Sequence, residues 1–173
     1  DRSVSRGLGD VYKRQNLPTI ELLYNTSEGH QKIAEALQQM WKQILGIDIV
    51  LTNTDWKVYL DRQNTGDYEI ARAGWIGDYQ DPKTFLDMMV TGRGNNQTGW
   101  SNIDYDEYLS LAANSTSQSE RFSYMYEAEK ILIDELPIIP IYTYTRIFMK
   151  HPSVKGWNSN LLDSHAYQFI SIE

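Results

Sequence analysis

Apolar and polar residues follow patterns that predict alternating strands and helices in the first half of the chain. Residues 19–24 form a short apolar run typical of a strand, and apolar positions three and four residues apart then predict an amphipathic helix ending near Gly46. Residues 47–52 predict a second strand, a short helix follows, and the alternating residues 68–73 predict a third strand. This β-α-β-α-β order favours right-handed crossovers and an α/β fold with an at least partly parallel sheet.

The second half is predicted to be mainly helical. Its predicted elements are helices over residues 83–89, 104–113 and 117–136, and strands over residues 138–145 and 167–172. Residues 91–102 are rich in Gly, Asn and Thr and predict a loop whose length is typical of a functional or mobile segment. Pro140 lacks a backbone donor and favours an edge position or a bulge for the strand that contains it.

The first 15 residues, DRSVSRGLGDVYKRQ, differ from the rest of the chain. They have no apolar periodicity, and they carry four of the 16 basic residues. They lack the apolar segment of a signal peptide and resemble translated adaptor sequence. We therefore expect residues 1–15 to be a non-native extension, and the part from Asn16 onward to be the C-terminal piece of a longer protein.

Composition and charge exclude several classes of protein. The chain has 173 residues, enough for one ordinary domain, and its net charge of −7 argues against nucleic-acid binding, which relies on clustered Lys and Arg. It contains no Cys, and its histidines (His30, His151 and His165) lack the spacing of zinc ligands. We therefore expect no metal, no cofactor and no nucleic-acid partner.

The end of the third predicted strand carries the most informative chemistry. Arg72, Trp75 and Asp78 lie within seven residues, where the alternating run passes into a polar turn. Strand ends of this kind are where open α/β sheets bind ligands. Charges of both signs beside one aromatic ring favour a zwitterionic ligand over a nucleotide.

Each candidate residue also has an ordinary structural interpretation. Asp78 can pair with a ligand ammonium or bond its own backbone in a turn. Arg72 can pair with an internal carboxylate, such as Glu69 or Asp78, or with a ligand carboxylate. His30, in the first turn of a helix, can contact an anion or simply lie on the surface.

Aromatic residues and catalytic motifs add less. Trp56, Trp75 and Trp100 lie at or near the ends of predicted elements, where they can contact a ligand or serve as packing residues. The chain has no G-x-S-x-G elbow, phosphate-binding loop, G-x-G-x-x-G or H-E-x-x-H motif. A hydrolase using Asp78 or the carboxylates of residues 104–107 is therefore the least favoured function.

The run DWKVYLDRQNTGDYEIARAGWIGDYQDPKTF, residues 55–85, closely resembles the C-terminal lobe of periplasmic oligopeptide-binding proteins. These serve ABC importers and belong to the peptide/nickel family of solute-binding proteins, and the resemblance extends from about residue 17 to residue 173. It implies a periplasmic-binding-protein type II-like α/β lobe over residues 16–145, with a mixed sheet flanked by helices. Residues 146–173 would be a tail that crosses back to the other lobe of a two-lobe clamp.

The resemblance also implies roles for individual residues. Asp78 would bind the α-ammonium group of the peptide. Arg72 and His30 would lie where the C-terminal carboxylate is met, with peptide length deciding which of them engages it. The residues that would flank the bound backbone or line a side-chain pocket are Gly74, Trp75, Ile76 and Trp56.

The function implied is that of an extracytoplasmic, monomeric solute-binding protein, periplasmic or lipid-anchored, that captures oligopeptides for an ABC permease and catalyses no reaction. A receptor-like relative that binds a signalling or cell-wall peptide is the alternative. The chain departs from the family pattern at Gln63, where the family has an arginine next to the position of Arg62. We expect this change to alter the preferred peptide length or side chain.

Overall fold

The computed structural model describes residues 19–160 and 162–173, so the predicted extension over residues 1–15 lies outside the described residues. The chain divides into two compact units, the first ending at Gly74 and the second running from Trp75 to Glu173. Each unit has its own hydrophobic core. The expected division at residue 146, between lobe and tail, stays a prediction.

A parallel three-stranded sheet forms the centre of the first unit. Its strands are β1 (Ile20–Asn25), β2 (Ile49–Thr54) and β3 (Ile70–Ala71), in the order β2-β1-β3. Strands β1 and β2 pair over their full length, from Ile20 with Ile49 to Asn25 with Thr54. The predicted β-α-β-α-β order is confirmed, but the third strand is shorter than predicted because only Ile70 and Ala71 pair with β1.

Two helices connect these strands, and glycines end both of them. Helix α1 (Glu28–Met40) continues as a π-helical turn (Trp41–Leu45) and stops at Gly46, whose φ is 68°. Helix α2 (Trp56–Thr65) stops at Gly66, whose φ is 72°. A left-handed backbone of this kind is readily adopted only by glycine, which explains both termini.

The core of the first unit lies around β1. Leu22, Leu23 and Tyr24 are consecutive and all buried, as expected for the central strand of a parallel sheet covered on both faces. Ala34 of α1 is buried against this strand, and Trp41 packs at the margin of the cluster. The predicted apolar stripe of α1 is therefore confirmed at its centre.

The second unit is a helical assembly followed by a short pair of antiparallel strands. Its elements are α3 (Lys83–Leu86), a 3-10 turn (Asp87–Met89), α4 (Ile103–Asn114), α5 (Gln118–Glu135), β4 (Val154–Lys155), a second 3-10 turn (Tyr167–Phe169) and β5 (Ser171–Ile172). Strands β4 and β5 pair antiparallel. The buried core consists of Leu86, Met89, Tyr105, Leu109, Ala112, Met125, Ala128 and Leu132.

One predicted strand is wrong. Residues 138–145 form no strand among the described residues, although they are rich in the Ile, Tyr and Thr that are typical of strands. A strand exists only when its backbone pairs with a neighbour, and Pro137 and Pro140 provide no amide donor for such pairing. The predicted strand over residues 167–172 is confirmed only at its end, in β5.

The loop over residues 91–102 is held by side-chain hydrogen bonds. Asn96 donates through Nδ2 to the carbonyl oxygens of Met89 (3.0 Å) and Trp100 (2.9 Å). The indole nitrogen of Trp100 donates to Glu135 at 2.6 Å. These bonds give the loop a structural role. Within the described ranges, no helix is long and apolar enough to cross a membrane.

Candidate functional site

Arg72 lies directly beyond β3, and both of its backbone polar groups are engaged. Its N–H donates to the carbonyl oxygen of Leu23 in β1 at 2.8 Å. Its carbonyl oxygen accepts a hydrogen bond from the hydroxyl of Tyr59 at 2.5 Å. The Arg72 side chain is half-buried, so the fold fixes this cationic residue at the carboxyl end of the sheet.

Three buried polar atoms lie at the same end of the sheet. Asn25 ends β1 and Thr54 ends β2, and the two residues are partners in the parallel register. The Oδ1 atom of Asn25, the Oγ1 atom of Thr54 and the Nδ1 atom of His30 are buried, without a hydrogen-bond partner among the described residues. Buried polar atoms are normally hydrogen-bonded, so this edge suits a polar ligand.

Sequence reasoning missed Asn25 and Thr54. The first two strands were predicted to end at residues 24 and 52, which placed both residues outside the sheet. The signal was the polar residues that follow each run, namely Asn25 after residues 19–24, and Asn53 and Thr54 after residues 47–52. It becomes informative only when the register shows that the two strand ends are adjacent.

The electrostatic environment of His30 favours its neutral form. Burial of the imidazole lowers the pKa of His30, and the positive charge of Arg72 lowers it further. The backbone of Asn25 acts in the opposite direction and is the weakest of the three effects. An anion bound near the Arg72 guanidinium would offset its effect and favour proton uptake by His30.

Trp56 is the first residue of α2, and 58% of it is exposed. Its ring stacks on that of Tyr59, with centroids 5.5 Å apart and planes inclined by 22°. Tyr59 itself is only 3% exposed. Trp56 is therefore a supported but accessible aromatic surface. Gly74, the last residue of this unit, is also exposed.

The second unit begins with the remaining predicted ligand residues. Trp75 is half-buried, and its indole nitrogen is buried without a hydrogen-bond partner among the described residues. Ile76 is 62% exposed. Gly77 packs closely on α3, since a Cβ atom at this position would lie 3.0 Å from Cγ2 of Thr84.

The polar turn contains two carboxylates, those of Asp78 and Asp81, whose surroundings differ. The Asp78 side chain is exposed and makes no hydrogen bond or ion pair with another described residue, while its N–H donates to Oγ1 of the buried Thr84 at 2.9 Å. The interpretation of Asp78 as an Asp that bonds its own turn therefore finds no support. Asp81 accepts from the N–H of Lys83 at 2.9 Å and pairs with both terminal nitrogens of Arg121, at 2.8 and 2.7 Å.

The Arg121 guanidinium lowers the pKa of the Asp81 carboxyl, mainly through these hydrogen bonds. The Asp81 carboxylate is thus engaged in contacts within the fold, whereas the Asp78 carboxylate is exposed. Within the described ranges, no group of three or more His, Cys, Asp or Glu side chains is arranged to hold a metal ion.

Arg62, the residue next to Gln63, is also engaged in ion pairs within the first unit. Its guanidinium forms a two-point pair with Glu21 at 2.9 and 2.7 Å, and its Nε donates to Asp67 at 3.0 Å. Gln63 is only 8% exposed. Arg62 therefore cannot supply the charge of the family arginine without breaking this network.

Comparison with known proteins identifies the family of this chain. The model of bacterial extracellular solute-binding proteins, family 5 middle, matches residues 4–97. The match begins inside residues 1–15, so their assignment as a non-native extension stays a prediction. The chain is 43% identical over 145 residues to the oligopeptide-binding protein of Bacillus subtilis (strain 168), covering 83% of this chain and 27% of that protein.

Two solved structures have the same fold. A periplasmic murein tripeptide-binding protein in its unliganded open form superposes with a TM-score of 0.81 at 40% identity, over 91% of this chain and 31% of that one. The Haemophilus influenzae oligopeptide-binding protein in complex with the peptide RPPGFSPFR also gives a TM-score of 0.81, at 33% identity, over 92% of this chain and 32% of that one. The predicted α/β fold of the periplasmic-binding-protein type II kind is confirmed, and the chain belongs to family 5 of the bacterial extracellular solute-binding proteins.

Proposed function

We propose that this chain is part of an extracytoplasmic protein that captures oligopeptides for uptake through an ABC permease. The observation that carries the proposal is the 43% identity to an oligopeptide-binding protein over 83% of this chain. An alignment of 145 of the 173 residues necessarily includes the strand-exit run at residues 55–85. The similarity therefore covers the residues of this run to which we assign ligand contacts, which are Trp56, Arg72, Gly74, Trp75, Ile76 and Asp78.

The chain spans 27% of the length of that relative, so we propose that a longer protein supplies the rest of the site. In this protein, residues 16–145 would form most of one lobe and residues 146–173 would cross to the other. A peptide would be held between the lobes, where water is excluded from both sides. The protein would act as a monomer, free or held by a lipid anchor.

The first unit carries the features suited to a peptide carboxylate. Arg72 provides a guanidinium, which suits a carboxylate because it can donate two parallel hydrogen bonds. The buried polar atoms of Asn25, His30 and Thr54 lie at the same sheet edge. We assign the C-terminal end of the peptide to Arg72 and His30, and a side-chain contact to Trp56.

The second unit carries the feature suited to a peptide ammonium. Asp78 is exposed, whereas Asp81, three residues later, is already paired with Arg121. We assign the α-ammonium group to Asp78 and the adjacent peptide backbone to Gly74, Trp75 and Ile76. Backbone-to-backbone hydrogen bonds would make affinity depend little on side chains.

Calorimetric titration of the full-length protein with a free tripeptide and its N-acetylated form tests this assignment. Asp78→Asn is expected to weaken the free peptide by about tenfold or more and to change the acetylated one little, since a charge-assisted bond contributes about 1.5–3 kcal/mol. Asp104→Asn, which removes an exposed carboxylate of α4, serves as the control. Equal weakening of both peptides by Asp78→Asn would contradict the role of Asp78.

A cell-wall peptide is the second candidate ligand. It is favoured by the 40% identity to the murein tripeptide-binding protein. Titration of the same protein with a murein tripeptide and with unrelated tripeptides distinguishes general peptide uptake from specific binding of a cell-wall peptide. Similar affinity for all of them supports general peptide uptake, whereas strong preference for the murein peptide supports a dedicated receptor or carrier.

A further inference from the structure

Tyr59 connects two residues to which we assign ligand contacts. Its ring supports Trp56 through the stack at 5.5 Å, and its hydroxyl donates to the carbonyl oxygen of Arg72 at 2.5 Å. The side chain is 3% exposed, so it does not offer a surface to a ligand itself. One buried residue of α2 therefore contacts both the aromatic surface and the backbone of the cationic residue.

The hydrogen bond from Tyr59 completes the restraint of Arg72. Strand β3 ends at Ala71. The next residue, Arg72, still donates its N–H to the carbonyl oxygen of Leu23 in β1 at 2.8 Å. The Tyr59 hydroxyl engages the carbonyl group on the other side of the same residue. Because both backbone groups of Arg72 have partners, its backbone conformation is fixed where the strand pairing ends.

The Tyr59 hydroxyl stays protonated at neutral pH and can therefore donate a hydrogen bond. Burial raises the pKa of Tyr59 to about 12, and the positive charge of Arg72 acts in the opposite direction. The hydroxyl therefore keeps its proton throughout the neutral range, and the bond to Arg72 does not vary with ordinary changes of pH.

We propose that Tyr59 is a positioning residue for carboxylate recognition. Its hydroxyl holds the backbone of Arg72 in place and thereby orients the guanidinium, while its ring packs against Trp56. This inference rests on the proposed function, in which Arg72 meets the peptide C-terminus. A guanidinium binds a carboxylate through two parallel bonds only within a narrow range of orientations, so a small backbone shift weakens the contact. The residue would act on affinity for the carboxylate without touching the ligand.

The test is a Tyr59→Phe variant of the full-length protein, which removes the hydroxyl and keeps the stacked ring. Its affinity is measured for a peptide with a free C-terminus and for the same peptide with a C-terminal amide. We expect Tyr59→Phe to weaken the free peptide by about fivefold, the equivalent of one ordinary hydrogen bond, and to leave the amidated peptide within about twofold.

Tyr105→Phe is a matched control. The Tyr105 hydroxyl also donates to a backbone carbonyl, that of Leu86, at 2.6 Å, and Tyr105 is fully buried in the second unit. Both substitutions should lower the melting temperature, because each leaves a carbonyl without its partner. Only Tyr59→Phe should change the affinity ratio between the free and the amidated peptide.

An Arg72→Gln protein shows whether Tyr59 acts through Arg72. In that protein, Tyr59→Phe is expected to have no further effect on the ratio between the two peptides. Equal weakening of both peptides, an unchanged ratio, or an undiminished effect in the Arg72→Gln protein would overturn the inference while the proposed function stands. A wild-type protein that binds no peptide would overturn the proposed function and this inference with it.

Discussion

His30 is a titratable residue whose pKa in the folded protein differs from its pKa in the unfolded chain. Burial and the charge of Arg72 lower its pKa, so between the folded and the ordinary value the unfolded chain binds more protons. Stability from this residue is therefore present above a pH of about 6.5 and is lost as the pH falls toward the folded value.

This difference predicts that His30→Gln reduces the loss of stability on acidification. Between neutral and mildly acidic pH, the melting temperature of the wild-type protein should fall more steeply with pH than that of the variant. His151→Gln is the control, because His151 is exposed and lies beyond the first unit. Parallel melting curves for wild type and His30→Gln across this range would contradict the assigned environment.

From the ion pair between Asp81 and Arg121 we expect part of the protein's stability to be lost at acidic pH. Arg121 lowers the pKa of Asp81, so the stability it contributes is present above a pH of about 4 and is lost as the pH falls through the folded value. Asp81→Asn should lower the free energy of unfolding at neutral pH by about 1–3 kcal/mol, because a half-buried arginine loses its partner.

Urea denaturation at neutral pH measures this effect. The matched variant is Asp78→Asn, three residues away, which removes a carboxylate that has no partner among the described residues. It should change the free energy of unfolding by less than about 0.5 kcal/mol. Similar losses for both variants would mean that the Asp81 pair contributes nothing measurable.

Helix α4 depends on its first-turn cap. Asn102 accepts through Oδ1 from the N–H groups of Asp104 and Tyr105, at 2.9 and 3.0 Å, and donates through Nδ2 to Glu135 of α5 at 2.6 Å. Asn102→Ala should cost about 1–2 kcal/mol in urea denaturation, because the cap and the link between the helices are both lost.

Asn102→Asp separates the two contributions. It keeps the acceptor for the helix but places a second carboxylate opposite Glu135, so it should also destabilise the protein. Asn114→Ala is the control, since the Asn114 side chain bonds no described residue other than Ser110, whose carbonyl lies in the same helix. A loss for Asn114→Ala as large as that for Asn102→Ala would refute the importance of the cap.

Predicted elements were most reliable where the pattern is local. The amphipathic spacing of α1, the terminal glycines and the short apolar runs of the first two strands depend on neighbours in the sequence, so these elements follow from the chain itself. The strand predicted at residues 138–145 depends on a pairing partner elsewhere, which periodicity does not provide. The same reason explains why the third strand is only two residues long.

The described chain exposes a long apolar segment after α5. The large apolar side chains that are about half or more exposed include Ile139, Ile141, Ile147, Phe148 and Met149. Several exposed apolar side chains within one segment are typical of a region that is covered by another part of a protein. In the proposed function, residues 146–173 would cross to a second lobe, which would cover part of this segment.

The isolated 173-residue chain is therefore expected to self-associate as its concentration rises, and to bind the dye ANS. The double variant Ile147→Lys and Met149→Lys should reduce both effects, because these side chains are 94% and essentially fully exposed. Sedimentation velocity measures the association. A monomeric wild-type chain at high micromolar concentration that binds no dye would contradict the expectation.

The sequence by itself determined the strand and helix order of the first unit, the family, and the candidate residues Arg72, Trp75 and Asp78. These depend on local periodicity or on a continuous run of residues. Only the tertiary structure decided that Asp81 is paired while Asp78 is accessible, because Arg121 lies 40 positions away. The tertiary structure alone showed that the Tyr59 hydroxyl donates a hydrogen bond to the Arg72 carbonyl, and that the ends of β1 and β2 are paired. Such contacts join distant residues through packing and strand register, and no spacing along the chain encodes them directly.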